Sequence, residues 1–395
     1  MIQNTAIHNL LSKWVSRVID RDNLEKRLLA WEKLVVKFGI DPSGTIVHIG
    51  HMVPILKLKA FQELGHKVVL LIGDATAQVG DASDKDAERP MLARAETEKN
   101  AKLFLSKFAR VLDLSKIEVY YNSEWLDRVN FAWVGELAKN FSVAEMLDRD
   151  NFSKRYKGWV RISLQEFLYP IMQGYDSVAI AKKYWACDVE LGGNDQYFNL
   201  LAGRTLMEAH GLPKQDIMTF DLLVWSDGKK MSKTSPNTVA IDEAPQSMYQ
   251  KLISIKDELI VPYFELATDM TLEDVAIIRD RLEKWEHPNK LKEELAQRII
   301  KMYHGKEYDP SDVNNIETQN ISHSPLIKDD GGILISDLLK EIWFCATSGD
   351  VRNALSGKSI RVDGVVIEDP KFLVTIDSSG VLVEMGKKKA KRVFI

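Results

Sequence analysis

The feature that most constrains this chain is the alternation of short apolar segments with amphipathic segments over its first 235 residues. Continuous or alternating apolar patterns predict strands at 34–40, 67–72, 117–121 and 222–225. Apolar positions spaced three and four residues apart predict helices at 1–30, 48–64, 96–112, 132–139, 143–149, 163–184 and 195–210. Strands that alternate with helices are typical of an α/β fold, in which helices cover both faces of a doubly wound parallel sheet.

The rest of the chain follows a different pattern. Residues 236–310 have helical periodicity and no strand signal. A polar linker is predicted at 311–332, and a small separate α+β unit at 333–395. Because 395 residues exceed one ordinary domain, we expect three domains, the first spanning 1–235 with a helical insertion at about 125–165.

Composition argues against several classes of protein. Cys187 and Cys345 are too few for a disulfide framework or a cysteine-rich zinc site, and we expect both to be buried. We expect no protein-held metal and no tightly bound cofactor. The chain has no apolar stretch long enough to span a bilayer and no evident signal peptide, so we expect a cytoplasmic protein that binds neither membrane nor DNA. With a net charge of −4, any RNA binding must depend on local patches.

The segment after the first long apolar strand has the chemistry of a phosphate site. No Gly-x-Gly-x-x-Gly fingerprint or P-loop follows that strand, which disfavours a dinucleotide enzyme and a P-loop NTPase. Instead, His48-Ile49-Gly50-His51 opens a helix, whose free N–H groups and dipole favour phosphate. Both histidines share one helix face, and Gly50 lets an adenine or ribose approach the backbone. Two solvated histidines at a helix start are the alternative interpretation.

A second basic segment follows the last predicted strand of the α/β part. It is a loop with the sequence Asp227-Gly228-Lys229-Lys230-Met231-Ser232-Lys233-Thr234. Three lysines with two hydroxyl groups suit a polyphosphate whose charge rises in the transition state. A solvated basic turn is the alternative. Since both segments follow strands of one sheet, we predict a single ATP site that includes Lys230, Met231, Ser232, Lys233 and Thr234.

A polar stripe on the helix predicted at 163–184 indicates a second half of the site. Tyr169, Gln173 and Asp176 are four and three residues apart and therefore lie on one helix face. A phenol, an amide and a carboxylate that face one cavity could bind an ammonium group and a hydroxyl group together. A solvated helix face is the alternative, which the apolar residues around the stripe disfavour.

The C-terminal unit has a local surplus of positive charge. Residues 351–395 contain nine Lys and Arg but five Asp and Glu, a surplus of four. Such clusters bind phosphate backbones, although a basic solubilising tail is the alternative. The unit is predicted to begin with a helix at 334–344 and to continue with short strands. The predicted RNA contacts are Arg352, Lys358, Arg361, Lys387, Lys388 and Lys389.

The two phosphate segments resemble the "HIGH" and "KMSKS" signatures of the class I aminoacyl-tRNA synthetases, with Thr234 in place of the last serine. Within that class the chain is similar to the bacterial tyrosyl-tRNA synthetases from about residue 34 to its C-terminus. The resemblance implies a Rossmann-like catalytic domain, a helical anticodon-binding domain at 236–310 and a C-terminal RNA-binding unit of the S4 type.

The resemblance also implies roles for single residues. On the tyrosine side, the residues implied are Lys37, Gly39, Asp81, Tyr169, Gln173, Asp176 and Gln196. Tyr169 and Gln173 hold the amino group in the family, and Asp176 takes the phenolic hydroxyl. On the nucleotide side, the residues implied besides the two signatures are Gly193, Asp195, Lys85 and Arg89. The chain departs from many members at Lys37, where a tyrosine contacts the substrate hydroxyl, and at Pro54, where threonine is common.

The reaction implied by the resemblance joins tyrosine to tRNA in two steps. Tyrosine first attacks the α-phosphate of ATP, which accompanies Mg²⁺, and then moves from the adenylate to the 3′ end of tRNA(Tyr). The resemblance further implies a homodimer with its interface in the 125–165 insertion. Two alternatives stay open at this point: a non-catalytic RNA-binding paralogue, and a class I enzyme for tryptophan.

Overall fold

The computed structural model describes residues 2–81, 91–225, 228, 231, 238–284, 286–309, 317–328, 331–377, 380–386 and 389–395. The chain divides into two compact units. Unit 1 comprises Met1–Asp242 and Ile255–Gly305, and unit 2 comprises Glu243–Ser254 and Lys306–Ile395. The helical stretch 236–310 thus contributes to both units, and its assignment to one anticodon-binding domain stays a prediction.

A six-stranded sheet forms the centre of unit 1. Its strands are β1 Val15–Val18, β2 Val35–Ile40, β3 Lys67–Ile72, β4 Glu118–Tyr121, β5 Val189–Gly193 and β6 Asp216–Phe220. Their order is β1-β6-β5-β2-β3-β4, and only the edge strand β1 is antiparallel to its neighbour. The carboxyl ends of β2, β3, β5 and β6 therefore meet at one edge, and the predicted α/β fold with a parallel sheet is confirmed.

The helices of the described residues belong to both units. They are α1 Ile2–Ser12, α2 Arg21–Leu29, α3 Ile49–Glu63, α4 Thr76–Val79, α5 Arg94–Phe108, α6 Ser123–Leu126, α7 Phe131–Ala138, α8 Val143–Leu147, α9 Asp150–Lys157, α10 Leu164–Tyr184, α11 Tyr197–Ala209, α12 Pro245–Ile253, α13 Ile260–Ala267, α14 Leu272–Glu283, α15 Pro288–His304, α16 Ile335–Glu341 and α17 Ser348–Ser356. Three of them, α12, α16 and α17, belong to unit 2. In the part of the chain that the structure describes, none is long and apolar enough to cross a bilayer.

The predicted helix over residues 1–30 is wrong. The structure has two helices there, separated by β1, which pairs with the outer edge of β6. Trp14 and Asp20 have positive φ angles of 67° and 57°, so the chain leaves and re-enters the helical conformation at these two residues. The three-residue spacing of Val15 and Val18 is typical of one helix face, and pairing with the edge of β6 overrides this local pattern.

The predicted strand at 222–225 is also wrong, and two strands were missed. Residues 222–225 lie outside the named strands, whereas β5 and β6 occupy the centre of the sheet. Both missed strands contain buried polar side chains, Glu190 in β5 and Asp216 and Thr219 in β6. These polar residues and the glycines of β5 interrupt the apolar run by which a buried strand is recognised.

Unit 2 contains two small sheets and the three helices α12, α16 and α17. Its strands are β7 Glu317–Asn320, β8 Gly332–Leu334, β9 Ile360–Val362, β10 Val365–Val366, β11 Leu373–Thr375, β12 Val381–Met385 and β13 Lys389–Phe394. Five of these pair in the order β10-β9-β12-β13-β7, and β11 pairs with β8. The helix predicted at 334–344 ends earlier, at Glu341, because the chain turns left-handed at Trp343. The small strand-rich unit fits the predicted S4-like fold.

Four exposed tryptophans lie in the left-handed region of backbone space, which suits glycine better than any bulky residue. Trp185, at the C-terminus of α10, has φ 60° and is 88% exposed. We expect Trp185→Gly to raise the free energy of unfolding by about 1 kcal/mol, because it relieves left-handed strain and removes no buried contact. Trp133→Gly, inside α7, is the matched control and should lower it by about 1 kcal/mol. Urea midpoints measure both, and a loss of stability in Trp185→Gly would contradict the prediction.

Candidate active site

A cavity of about 580 Å³ opens at the carboxyl ends of the central parallel strands. This is the edge at which open α/β sheets bind ligands. The N-terminus of α3 and the buried face of α10 form two of its walls. The predicted site residues that line the cavity are Gly39, His48, Gly50, His51, Asp81, Tyr169, Gln173, Asp176, Gly193, Asp195, Gln196 and Met231.

The two histidines form a compact pair at the start of α3. Their rings are stacked with centroids 3.7 Å apart. The backbone N–H of His48, the N-cap residue, donates to Nδ1 of His51 at 3.2 Å. A Cβ on Gly50 would lie 3.1 Å from the His48 ring, so glycine leaves room for the ring against the backbone. The pair is thereby held at the positive end of the helix dipole, facing the cavity.

Backbone hydrogen bonds join the start of α3, which contains the first signature, to the residues that follow the second signature. The N–H of Ile49 donates to the carbonyl of Val239 at 3.0 Å, and the N–H of Ile241 donates to the carbonyl of Val47 at 3.0 Å. Met231, within the second signature, is buried and lines the cavity. The first signature and the described residues in and after the second one therefore lie close together.

Several predicted site residues lie outside the described residues. They are Lys85, Arg89, Lys230, Ser232, Lys233, Thr234, Lys387 and Lys388. Their roles stay predictions.

Tyr169 is held at one end of the polar stripe on α10. Its hydroxyl donates to Oδ2 of Asp41 at 2.8 Å, and Oδ1 of the same carboxylate accepts from Thr76 Oγ1 at 2.7 Å. Burial, with the nearby carboxylate of Asp41, raises the pKa of Tyr169 well above its ordinary value. Tyr169 is therefore a neutral phenol with a fixed orientation, and Gln173 lies one helical turn further along the same wall.

Asp176 lies at the other end of the stripe, almost entirely buried. Its carboxylate accepts from Trp125 Nε1 at 2.7 Å and from Asn122 Nδ2 at 3.2 Å. Burial raises the pKa of Asp176 to about 7, while Lys37, Trp125 and Asn122 act in the opposite direction. A buried carboxylate that is only partly satisfied by neutral donors is suited to accept a further hydrogen bond from a hydroxyl group.

Asn122 and Trp125 were not among the predicted site residues. Both follow β4 directly, at the edge of the sheet where the cavity opens. A predicted strand at 117–121 placed them there in principle, because the residues after each parallel strand meet at the same edge. Asp41 and Thr76, which orient Tyr169, were also not among the predicted site residues. They follow β2 and β3 and so lie at the same edge of the sheet.

Asp81 and Gln196, which also line the cavity, are joined by a hydrogen bond. Gln196 Nε2 donates to Oδ2 of Asp81 at 2.6 Å, and Asn199 Nδ2 donates to Oε1 of Gln196 at 3.0 Å. Gly193 precedes this group at the end of β5, where a Cβ would lie 2.4 Å from Oδ1 of Asp195. Asp195 can therefore reach the cavity only beside a glycine.

Lys37 does not line the cavity, which corrects its prediction as a tyrosine contact. Its ammonium lies 2.8 Å from Oε1 of Glu190 and donates to Ser177 Oγ at 2.7 Å, with the side chain completely buried. Successive residues of a strand advance about 3.3 Å, so Lys37 lies deeper in the sheet than Gly39, which does line the cavity. Lys37 lies in the predicted strand, but its depth below the cavity could not be predicted from the sequence.

The predicted RNA contacts that the structure describes are all in unit 2. Arg352 lies on α17 and Arg361 on β9, and both are exposed. Lys358 pairs with Glu368 at 3.0 Å, and Lys389 donates to the carbonyl of Phe344 at 3.2 Å. Their arrangement gives two exposed guanidinium groups on one small unit, and their role in RNA binding stays a prediction.

A metal site is not evident among the side chains that the structure describes, since no group of three or more His, Cys, Asp or Glu is arranged to hold an ion. The donors around the cavity are mainly histidine, amide and hydroxyl groups together with separated carboxylates. Such a set suits a metal held by the phosphates of a ligand rather than by a protein cage.

Comparison with known proteins identifies the family. The family described as "tRNA synthetases class I (W and Y)" matches residues 30–316. The tyrosine–tRNA ligase of Thermotoga maritima is 41% identical over 391 residues, covering 97% of this chain and 96% of that protein. The tyrosine–tRNA ligase of Francisella tularensis is 37% identical over 394 residues, covering 98% of each.

Two solved structures share the fold. A C-terminally truncated mitochondrial tyrosyl-tRNA synthetase of Coccidioides posadasii has a TM-score of 0.62 and 23% identity, covering 76% of this chain and 88% of its own. The tyrosyl-tRNA synthetase of Archaeoglobus fulgidus, complexed with L-tyrosine, has a TM-score of 0.61 and 18% identity, covering 76% and 97%. The chain therefore belongs to the class I tRNA synthetases of the tryptophan and tyrosine group, and within that group to the tyrosine–tRNA ligases.

Proposed function

We propose that this chain activates L-tyrosine with ATP and transfers it to tRNA(Tyr). The observation that carries this proposal is a single cavity lined at one end by His48 and His51 and at the other by Tyr169, Gln173 and Asp176. One end suits the phosphates of a nucleotide and the other a small molecule with an ammonium and a hydroxyl group. The relatives at 37% to 41% identity are tyrosine–tRNA ligases, which supports tyrosine over tryptophan.

In the proposed complex, residues of the cavity walls contact both the phenolic and the ammonium end of the tyrosine. Asp176, held by Trp125 and Asn122, accepts the hydrogen bond of the phenolic hydroxyl. Tyr169 and Gln173 take the ammonium group, and Asp81 and Gln196 complete its surroundings. A ligand without the hydroxyl would leave the buried carboxylate unpaired, which is the physical basis for rejecting phenylalanine.

Catalysis in the proposed first step is positioning and charge stabilisation. The tyrosine carboxylate attacks the α-phosphorus of ATP, the bond to the bridging oxygen of pyrophosphate breaks, and pyrophosphate leaves with the electron pair. His48 and His51, at the positive end of α3, stabilise the phosphate oxygens, and Asp195 holds the ribose beside Gly193. We assign the pyrophosphate to the second signature with Lys85 and Arg89. Mg²⁺ accompanies the phosphates and neutralises part of their charge.

Transfer to tRNA is the proposed second step. The terminal ribose hydroxyl of tRNA(Tyr) attacks the carbonyl carbon of the adenylate, and AMP leaves. The helical stretch and the basic residues of unit 2 are assigned to tRNA binding, where contacts to phosphate are sensitive to salt. Since the reaction supplies translation, we assign the protein to the cytoplasm.

Amino-acid-dependent exchange of labelled pyrophosphate into ATP tests this proposal. We expect exchange with tyrosine and none with tryptophan or phenylalanine at the same concentration. Exchange with tryptophan alone would reverse the assigned specificity. If no amino acid supports exchange while tRNA(Tyr) still binds, the protein is a non-catalytic RNA-binding paralogue.

We also propose a homodimer that is joined through the 125–165 insertion. Several large apolar side chains of this region are exposed, among them Phe131 at 93%, Leu164 at 81% and Val143 at 66%. Apolar side chains concentrated in one region mark association surfaces.

The dimer proposal predicts the effect of one charge in this region. Leu164→Asp should convert the dimer to a monomer at micromolar concentration, because association would bury an unpaired carboxylate. Light scattering after size exclusion measures the mass. Ile277→Asp, an equivalent change at an exposed position on α14, is the control and should leave the dimer intact. A wild-type protein that is monomeric would refute the proposed interface directly.

A further inference from the structure

A buried ion pair lies beneath the proposed tyrosine pocket and is not explained by the reaction. Lys37 on β2 and Glu190 on β5 are 2.8 Å apart, and both are almost fully buried. Ser177 Oγ lies between them, accepting from Lys37 at 2.7 Å and donating to Glu190 at 3.1 Å. Gln215 Nε2 donates to the same Glu190 carboxylate. A charged pair with this many partners fixes the relative positions of two strands and a helix.

The network is attached to the proposed specificity helix one residue from Asp176. Ser177 follows Asp176 in α10, and its backbone and side chain are fully buried. Gly203 on α11 leaves space for this contact, since a Cβ there would lie 2.7 Å from Ser177 Oγ. Any change that releases Ser177 from Lys37 and Glu190 therefore alters the turn of the helix that presents Asp176.

Asp176 is influenced by groups on β2, on β5 and in the segment after β4. Lys37 on β2 favours the ionised carboxylate, and Glu190 on β5 opposes it. Trp125 and Asn122, which follow β4, are neutral donors to it. Burial of Lys37 alone would lower its pKa, but Glu190 and neighbouring groups raise it above the ordinary value, so Lys37 is a cation. Lys37 is thus the cation that offsets the burial of Asp176.

We propose that Lys37 is a positioning residue for tyrosine selection, which acts through Glu190, Ser177 and the field at Asp176 and does not touch the substrate. It orients α10 through Ser177 and keeps Asp176 ionised, so that the carboxylate accepts the phenolic hydroxyl. This inference rests on the proposed role of Asp176 in binding tyrosine. It assigns a function to one of the two positions where the chain departs from many members of its family.

The test compares one variant that lacks both charges of the pair with a matched control. Lys37→Met leaves Glu190 buried without its cation and risks misfolding, so the informative variant is Lys37→Met/Glu190→Gln, which removes both charges. Lys292→Met is the control, because it removes another buried lysine that pairs with Asp257 at 2.6 Å, outside the cavity. Pyrophosphate exchange is measured from pH 5 to 9 with tyrosine and with ATP as the varied substrate.

The expected result is a displacement of the acid limb of kcat/KM for tyrosine to higher pH in the double variant. At pH 7 we expect kcat/KM for tyrosine to fall about tenfold, while the KM for ATP changes little. The control should keep the wild-type profile. An acid limb that coincides with wild type in a folded double variant overturns the proposal, since a purely structural pair would change stability alone. A wild-type enzyme that fails to use tyrosine would instead refute the proposed function.

A separate observation concerns the exposed tryptophans with positive φ. Trp31, Trp159, Trp185 and Trp343 have φ between 55° and 61° and are 64% to 96% exposed. A bulky residue in this region is unusual, because its side chain crowds the backbone. Four such cases in one chain point to a common cause.

The hydrogen bonds at three of these positions, Trp31, Trp159 and Trp343, are those of a glycine helix terminus. After Trp31, the N–H of residue 32 donates to the carbonyl five residues earlier, and the equivalent bond follows Trp159 and Trp343, with distances of 2.9–3.1 Å. Gly65 and Gly211 end α3 and α11 with the same bond, at 3.1 and 2.9 Å. This arrangement is the Schellman motif, in which glycine supplies the left-handed residue.

We infer that these four positions carry glycine in the protein made by its own cells, because those cells decode UGA as glycine. UGA differs by one base from the tryptophan codon UGG and by one base from the glycine codon GGA. One gene can therefore be read with either residue at the same position. Trp125 is different, since it is helical and donates to Asp176, and we expect UGG there.

The codons of the gene and peptide masses of the protein purified from its source cells test this inference. UGA at all four positions together with glycine in the peptides is expected. A UGG codon at any of the four, or tryptophan in a peptide encoded by UGA, overturns it.

Discussion

Replacing His48 with asparagine is expected to lower the rate of tyrosyl-adenylate formation by about 10²–10³-fold, the usual effect of removing one preorganised donor to a developing oxyanion. Asparagine is an acceptable N-cap residue, so α3 keeps its start and only the imidazole is lost. The KM for tyrosine should change little, because the proposed tyrosine contacts are residues of α10 together with Asp81 and Gln196, and not residues of α3. Rapid-quench measurement of adenylate formation separates the chemical step from product release.

The control for this prediction is a histidine of the same unit outside the cavity. His66 accepts from the N–H of Leu34 at 3.3 Å and does not line the cavity. His66→Asn should therefore keep the wild-type rate. Adenylate formation at the wild-type rate in a folded His48→Asn variant would show that the stacked pair does not act on the phosphates.

Replacing Asp176 with asparagine is expected to lower kcat/KM for tyrosine by about 10- to 100-fold, which corresponds to the loss of a charge-assisted hydrogen bond of about 1.5–3 kcal/mol. The side chain keeps its shape, so the ATP half of the cavity should be unaffected and the KM for ATP should stay near wild type. The preference for tyrosine over phenylalanine should fall with it, since the variant no longer offers a buried carboxylate that requires the hydroxyl. Pyrophosphate exchange with both amino acids measures this, and unchanged selectivity would remove Asp176 from the specificity site.

The same substitution has a stability consequence whose sign follows from the pKa of Asp176. Burial raises this pKa from an ordinary 3.8 to about 7 in the folded protein. The contribution of such a group to stability is complete below about pH 4 and is lost as the pH rises to about 7, because the unfolded carboxyl ionises first. Because an asparagine cannot ionise, the free energy of unfolding of Asp176→Asn should exceed that of wild type by more at pH 8 than at pH 4. Urea unfolding at the two pH values measures the difference.

The stability gain and the loss of tyrosine use, if found in one variant, would show that the buried carboxylate is retained for selection at a cost in folding free energy. Tyr175→Phe is a suitable control, since this neighbouring residue lies on α10 but does not line the cavity. We expect it to change neither selectivity nor the pH dependence of stability. A similar pH dependence in this control would assign the effect to the helix and not to the carboxylate.

Half of the strands of the main sheet and part of the cavity lining could be predicted from local patterns. β2, β3 and β4 are apolar or β-branched runs, and α3 and α10 have clear helical spacing, so their residues were placed on the right elements. Side chains at four-residue spacing on one helix necessarily share a face, which brings Tyr169, Gln173 and Asp176 to one wall. These inferences succeed because they need only the local geometry of one element.

The errors occurred where a partner distant in sequence decides the structure. Residues 1–30 contain a strand because the edge of β6 is free to pair with Val15–Val18. Glu190 can lie in a central strand because Lys37, 153 positions earlier, neutralises it. Neither the open edge nor the counter-ion is visible within the segment itself.

The sequence by itself determined the family and the chemistry of the cavity, because the two signature segments and the polar stripe on α10 each combine residue types that suit one kind of ligand. Tertiary structure decided which of these residues touch the cavity. It moved Lys37 below the pocket to Glu190 and Ser177, and it brought Asn122 and Trp125 to the carboxylate of Asp176. The physical reason is that depth within a sheet and burial of charge depend on packing between elements, which no spacing along the chain records.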